Sequence, residues 1–172
     1  MATGGPKPLS KAGRAKVLKV AREHSALGRV LKGRARPVVV ASYPEAREGG
    51  EGQALVAVYD YDRDRTFVAT VDPGRERVLS VDEAPVPFQL SEEEREEAAA
   101  LAATDERVKR FLGRRPMNPL TRLYFPPDGG PHRHAVVFLR PNRSERAYAV
   151  VDLSDGRVVD VLSRERFTGE ET

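Results

Sequence analysis

Two stretches of this chain, 80 residues apart, share one pattern of apolar and polar positions. The first covers residues 67–81 and reads FVATVDPGRERVLSV; the second covers residues 147–161 and reads AYAVVDLSDGRVVDV. In both, two runs rich in β-branched residues flank a turn containing Asp, Gly and Arg, which predicts a β-hairpin. Asp72 and Asp152 begin the two turns at matching positions. The pattern therefore predicts an internally duplicated unit.

An amphipathic stretch that predicts a helix precedes each hairpin. Between Ser10 and about Leu31, apolar residues recur at spacings of three and four, and the Ser10 hydroxyl is placed to cap the helix. In the second half, Ser91 and Glu94 form an S-x-x-E capping box at the start of a second helix. We interpret the acidic run 92–97 of this helix as a solvated face.

Four short strands are predicted after each helix. They lie at 38–43, 55–61, 66–71 and 77–81 in the first half, and at 120–125, 134–139, 147–151 and 157–161 in the second. A helix laid on one face of an antiparallel sheet is a common two-layer arrangement. We therefore predict an α+β protein made of two tandem units, each with one helix packed on a four-stranded antiparallel sheet.

Proline-rich and polar segments set the predicted domain bounds. These are a tail at 1–8, a first unit at 9–83, a Pro-rich linker at 84–90, a second unit at 91–163 and a tail at 164–172. The 172 residues suffice for one medium domain or two small ones. The spacing of the two hairpins favours two small units.

The amino-acid composition excludes several classes of protein and of functional site. The chain has no cysteine, which excludes disulfides, thiolate catalysis and cysteine-ligated metal centres. No apolar run approaches the roughly 20 residues that span a membrane, and the N-terminus lacks the apolar core of a secretory signal. We expect a cytoplasmic protein, or a mature form without its signal peptide.

Charge is unevenly distributed along the chain. Residues 1–36 contain ten lysines and arginines and one acid, Glu23, whereas the remaining residues carry an excess of acids. The candidate partner-binding residues are the cations of the first predicted helix: Arg14, Lys16, Lys19, Arg22 and Arg29. They would bind an acidic partner or an anionic polymer, or they simply form a solvated helix face. Nucleic acid is the least favoured partner because this segment has few aromatic side chains to stack on bases.

The candidates for acid–base chemistry lie near one predicted strand. His132 and His134 form an H-x-H pair whose side chains would point to the same face of a strand, and Tyr124 and Asp128 are close in sequence. A metal site would need a third ligand from elsewhere, so we assign no metal and no cofactor. His24 lies on the apolar stripe of the first helix and is interpreted as a core or interface residue.

Longer segments resemble a known family. Residues 90–115, LSEEEREEAAALAATDERVKRFLGRR, resemble the start of the third N-terminal domain of copper amine oxidases, and the hairpin at 147–161 resembles its closing strands. Residues 67–89 resemble the end of the second domain. The resemblance implies two cystatin-like modules, which in that family flank the entrance to the active site and contribute to the dimer. The catalytic domain with its copper and quinone would begin where this chain ends.

These expectations lead to three hypotheses about function. The first is a non-catalytic accessory protein that binds a protein, peptide or small-molecule partner, with a homodimer left open. The second is a small enzyme that uses His132 and His134 for acid–base chemistry. The third is electrostatic binding of an anionic polymer through the basic N-terminal helix.

Overall fold

The computed structural model describes residues 9–43, 52–84, 89–117, 119–128, 130–140 and 146–163. The chain divides into two compact units, Met1–Gln89 and Leu90–Thr172. Each unit contains helices and one four-stranded antiparallel sheet, so the protein is α+β. The predicted tails lie outside the described residues, as do residues 85–88 of the predicted linker.

The first unit consists of two helices followed by four strands in sequential order. These are α1 (Lys11–Glu23), α2 (Ser25–Lys32), β1 (Ala35–Tyr43), β2 (Gln53–Asp60), β3 (Arg65–Asp72) and β4 (Arg77–Ala84). Each strand pairs with the next one along the chain, giving the sheet order β1-β2-β3-β4. Alternate residues of the central strands face the helices, and the core contains Val17, Ala21 and Leu27 against Val56 and Val58.

The second unit has the same order of elements. It contains α3 (Glu92–Thr104), α4 (Glu106–Leu112), β5 (Leu120–Tyr124), β6 (His134–Leu139), β7 (Ala147–Asp152) and β8 (Arg157–Ser163). The strands again pair sequentially, in the order β5-β6-β7-β8. Ala98 and Ala102 of α3 are fully buried, as are Ala135, Val137 and Val151 of the sheet.

The prediction of one continuous helix in each half is wrong. The chain leaves the helical conformation at His24 (φ −72°, ψ 130°) and at Asp105 (φ −70°, ψ 130°), and a second helix starts at the next residue in both units. Apolar spacing does not reveal such a break, since the stripe continues through it. His24 therefore lies at the junction of α1 and α2 rather than inside a helix.

Close packing at this junction depends on a glycine. A Cβ atom added at Gly28 would lie 2.5 Å from the carbonyl oxygen of Arg22, which is too close for any other residue without a backbone shift. The Gly28 N–H donates to the carbonyl of His24 at 2.6 Å. The first turn of α2 is thus held directly against the end of α1.

Among the residues that the structure describes, no helix is long and apolar enough to cross a membrane.

Candidate functional site

The candidate site lies at one end of the second sheet, where four strands bring polar residues into a row. Tyr124 of β5 is opposite His134 of β6, which is opposite Asp152 of β7. Asp152 is in turn opposite Arg157 of β8. Side chains directly opposite each other in antiparallel strands share a face of the sheet. The register therefore groups residues that are far apart in sequence.

A buried ion pair fixes the start of β6. Arg133 Nε donates to Glu94 Oε1 at 2.6 Å, and Nη2 donates to Oε2 at 3.0 Å. The side chains of Arg133 and Glu94 are 2% and 0% exposed. The predicted capping box is confirmed. The Glu94 carboxylate accepts the backbone N–H of Ser91, and the Ser91 hydroxyl accepts the backbone N–H of Glu94. The interpretation of 92–97 as a wholly solvated face is wrong at Glu94.

The backbone of Arg133 is held by the β7–β8 turn. Its N–H donates to Ser154 Oγ at 3.1 Å, and its carbonyl accepts the N–H of Leu153 at 2.8 Å. The Arg133 side chain is buried with Glu94, whereas the flanking His132 and His134 side chains both lie beside Asp152.

The two histidines contact the same carboxylate oxygen. His132 Nδ1 lies 2.8 Å from Asp152 Oδ2, and His134 Nε2 lies 3.8 Å from the same atom. His134 Nδ1 is 2.9 Å from the carbonyl oxygen of His132, which only accepts, so this nitrogen carries the proton. In the neutral ring, the lone pair on Nε2 is then available beside Asp152. We call His132, His134, Asp152 and Asp155 the His–Asp cluster.

Asp155 completes the cluster at its exposed side. Asp155 Oδ2 lies 3.9 Å from His132 Nδ1, and the Asp155 N–H donates to Asp152 Oδ1 at 2.9 Å. His132, Asp152 and Asp155 each offer a ligand atom, and these atoms all lie within 4.8 Å of one another. The side chains of Asp152 and His134 are 4% and 12% exposed, against 36% for His132 and 43% for Asp155. The cluster thus has a buried side and an open side.

The electrostatic surroundings keep Asp152 ionised. Burial raises the pKa of this carboxyl, but the hydrogen bonds from His132 and the Asp155 N–H, with the charges of His132 and His134, outweigh burial and hold it below its usual value. Asp152 is therefore an anion at neutral pH.

The matching turn of the first unit is built differently. Asp72 Oδ1 accepts the N–H of Arg75 at 2.9 Å, as Asp152 Oδ1 accepts that of Asp155. The second oxygen of Asp72 faces a guanidinium, with Arg75 Nη1 3.5 Å away. Asp155 stands at the position that corresponds to Arg75. The second unit thus has an acid where the first has an arginine, and the carboxylate of this acid is paired with Arg157, whose Nη2 lies 3.2 Å from Asp155 Oδ2.

The structure brings together three of the four candidate acid–base residues. His132, His134 and Tyr124 lie at the same end of the second sheet. Asp128 lies exposed in the turn after β5 and makes no hydrogen bond or ion pair with the described members of the cluster. The sequence interpretation missed Asp152 and Asp155. Comparing the two hairpins offered a signal, because D-x-x-R in the first becomes D-x-x-D in the second.

The candidate partner-binding cations lie on the first unit. Arg14, Lys19, Arg22 and Arg29 are exposed, and Lys16 is half-buried. Several have local contacts: Arg14 Nε donates to the carbonyl of Leu9, Arg29 Nε to that of Ser25, and Lys19 lies 3.9 Å from Glu23. Each of these contacts involves one nitrogen atom of a side chain, and the exposed side chains remain accessible to solvent.

A cavity of about 270 Å³ lies between α2 and the first sheet. Its lining combines apolar and basic side chains: Leu27, Arg29, Val30, Arg63, Phe67 and Val81. A second, more open cavity of about 380 Å³ lies beside α3 and β5 and is lined by residues that include Glu92, Arg95 and Arg122. The histidines of the His–Asp cluster line neither of these two cavities.

Comparison with protein-family models found no match. Comparison with curated proteins found no similar sequence. We therefore infer function from the geometry of the chain itself.

Proposed function

We propose that this chain is a non-catalytic accessory protein that binds a protein, peptide or small-molecule partner. The observation that carries the proposal is the His–Asp cluster, a preformed polar site at the surface whose groups are already positioned by one another. Ser154 and Leu153 hold the backbone of Arg133, and the Arg133–Glu94 ion pair fixes β6 against α3. Such a site is suited to holding a ligand without reorganisation.

The charge state of Asp152 suits the binding of a cation. Burial raises the pKa of this carboxyl, but hydrogen bonds from His132 and the Asp155 N–H, with the charges of the two histidines, hold it below its usual value. An ionised, oriented carboxylate is a good partner for a cation.

We also propose that the two units are cystatin-like copies of one ancestral unit, as in the N-terminal domains of copper amine oxidases. Their helices break at residues 81 positions apart, His24 and Asp105. Their hairpins carry a register shift at Thr70/Val71 and at Val150/Val151, 80 positions apart. Irregularities at matching positions support common descent better than regular elements do, because bulges are specific local features.

Native mass spectrometry of the chain purified from its own host tests the binding proposal. We expect an added mass that is released intact on denaturation and is unchanged after long incubation. A bound molecule that is converted over time, at a rate that depends on His132 or His134, would overturn the proposal.

A small acid–base enzyme is the second candidate function. It is favoured by the row in which Tyr124, His134 and Asp152 lie on three adjacent strands. If it is correct, the double substitution H132A/H134A abolishes turnover, whereas H24A, which removes the histidine of the first unit, leaves turnover unchanged. Equal activity of both variants would rule this function out.

A further inference from the structure

We propose that the His–Asp cluster is a binding site for one divalent first-row transition-metal ion, with His134 Nε2, His132 Nδ1, Asp152 Oδ2 and Asp155 Oδ2 as the protein ligands. The inference rests on the proposed binding function and names the class of ligand that this site takes.

The distances between the ligand atoms are close to those of a bound ion. A tetrahedral ion with bonds of about 2.0–2.2 Å to nitrogen and oxygen separates its ligand atoms by roughly 3.3–3.6 Å. Asp152 Oδ2 lies 3.8 Å from His134 Nε2 and 2.8 Å from His132 Nδ1. Asp155 Oδ2 lies 3.9 Å from His132 Nδ1. For His132 Nδ1 to bind the ion, the proton that it shares with Asp152 Oδ2 has to move to Nε2 or to solvent, since only the lone pair coordinates a metal. His132, Asp152 and Asp155 already have their ligand atoms within 4.8 Å of one another. His134 Nε2, which lies 3.8 Å from Asp152 Oδ2, has to approach the other two to complete the shell.

The groups around the cluster orient its ligands as a metal site requires. Metal-binding histidines usually donate their other ring N–H to a carbonyl or carboxylate, which fixes the tautomer. His134 Nδ1 donates to the carbonyl of His132 and leaves Nε2 with its lone pair beside Asp152. Asp152 in turn has its Oδ1 held by the Asp155 N–H, so Oδ2 is the oxygen presented to the ion.

The first unit supplies an internal comparison. There the buried Asp72 faces the guanidinium of Arg75, while the buried Asp152 faces two imidazoles and a second carboxylate, Asp155. A buried carboxylate is stabilised by a neighbouring positive charge. Asp155 Oδ2 is already paired with Arg157, whose Nη2 lies 3.2 Å away, so an ion bound by the cluster would compete with this guanidinium for Asp155. At the buried Asp152, the ion would provide the charge that Arg75 provides to Asp72 in the first unit.

The donor set selects among metals. Imidazole nitrogen suits zinc, copper, nickel and iron, whereas calcium and magnesium prefer sites made of oxygen alone. Two imidazoles with two carboxylates therefore favour an ion such as Zn²⁺. His132 and Asp155 on the exposed side leave a path for the ion to enter from solvent.

Zinc titration of the tag-free full-length chain, stripped of metal beforehand, tests the inference. Affinity is measured by competition with a chromophoric chelator for the wild type, H134A, D155N and H24A. We expect one Zn²⁺ per chain, with affinity at least about tenfold weaker in both H134A and D155N because each removes a direct ligand. H24A removes a histidine of the first unit and should bind as the wild type does, and Ca²⁺ should not compete with Zn²⁺.

Circular dichroism shows whether each variant is folded. Because the Asp155 side chain is exposed, D155N is expected to fold. If H134A does not fold, the zinc affinity of D155N alone tests the inference. The inference is overturned if the wild type does not bind zinc, or if it binds calcium as tightly as zinc. It is also overturned if D155N binds zinc as the wild type does, or if H24A loses zinc binding to the same extent as the ligand variants.

The metal site and the proposed binding function can be refuted independently of each other. Absent zinc binding, together with a retained non-metal ligand in native mass spectrometry, overturns the metal site and leaves the binding function in place. Turnover of a substrate by the zinc-loaded chain overturns the non-catalytic function and supports the metal site.

Discussion

The buried pair of Arg133 and Glu94 is the residue-scale feature on which the candidate site depends. Removing one partner of a buried ion pair leaves an uncompensated charge, which costs about 3–5 kcal/mol. We expect R133A to lower the free energy of unfolding by about this amount, as measured by urea denaturation followed by circular dichroism.

Arg65 offers a matched control for this prediction. Its ion pair with Glu83 has side chains 57% and 52% exposed, and such surface pairs contribute about 0–1 kcal/mol. R65A should therefore lower stability by much less than R133A does. Equal losses in the two variants would contradict the importance of the buried pair.

Gly28 is a second residue whose role depends on packing rather than on local preference. In an exposed helix, replacing Gly with Ala stabilises by about 0.5–1 kcal/mol. Here the added Cβ would lie 2.5 Å from a backbone oxygen, so we expect G28A to destabilise the chain by about 1–3 kcal/mol. At Gly13 the nearest atom is a side-chain carbon of Leu9 at 3.1 Å, so G13A should cost less. Thermal unfolding of the two variants checks the order.

At the scale of elements, Asp105 starts α4 and Arg107 attaches it to the sheet. The Asp105 carboxylate accepts the N–H groups of Arg107 and Val108, and Arg107 Nη2 donates to the carbonyl of Val158 on β8. The hydrogen bond from the Arg107 side chain, opposed by burial, holds the pKa of Asp105 below its usual value. The ionised form of Asp105 is thus the one that the fold stabilises.

This lowered pKa predicts the direction of a pH effect. Asp105 adds stability that is fully present above its unfolded pKa of about 3.9 and is lost as the pH falls through the folded value. D105N keeps a capping side chain but cannot titrate, so its stability deficit relative to the wild type should shrink as the pH falls below about 4. Denaturant titrations across this pH range provide the measurement, and a deficit independent of pH would contradict the argument.

Helix α1 carries three of the exposed candidate cations, Arg14, Lys19 and Arg22, and substitutions there test whether the chain binds an anionic polymer. If it does, affinity for heparin falls steeply with added salt, and the charge reversal R14E/R22E removes most of the binding. R75E, which removes a cation from the β3–β4 turn, serves as the control. Binding that responds equally to both changes would indicate a general charge effect and not a site on α1.

At the scale of the whole molecule, the chain is organised as two units that each contain their own helices and sheet. Because the core of each unit is built from its own residues, we expect R133A to increase amide hydrogen exchange across the described residues of 90–163. Exchange within 9–84 should stay close to that of the wild type. Equal acceleration in both units would show that they unfold together.

The sequence by itself determined the local elements, since these depend on residues a few positions apart. The strand 134–139 has the predicted bounds. The capping box joins Ser91 and Glu94, which are only three positions apart in the sequence. The antiparallel hairpins at Asp72 and Asp152 follow equally from turn residues between β-branched runs. The helix breaks at His24 and Asp105 escaped prediction because the apolar stripe continues through them.

Only the tertiary structure decided the composition of the site. Arg133 meets Glu94 across 39 positions, and His132 meets Asp152 across 20, through the packing of α3 and the register of β6 against β7. Strand periodicity predicts which face a side chain occupies, but not which residue of another strand lies opposite. The H-x-H pair was visible in the sequence, whereas its carboxylate partners became apparent only when the strands were paired.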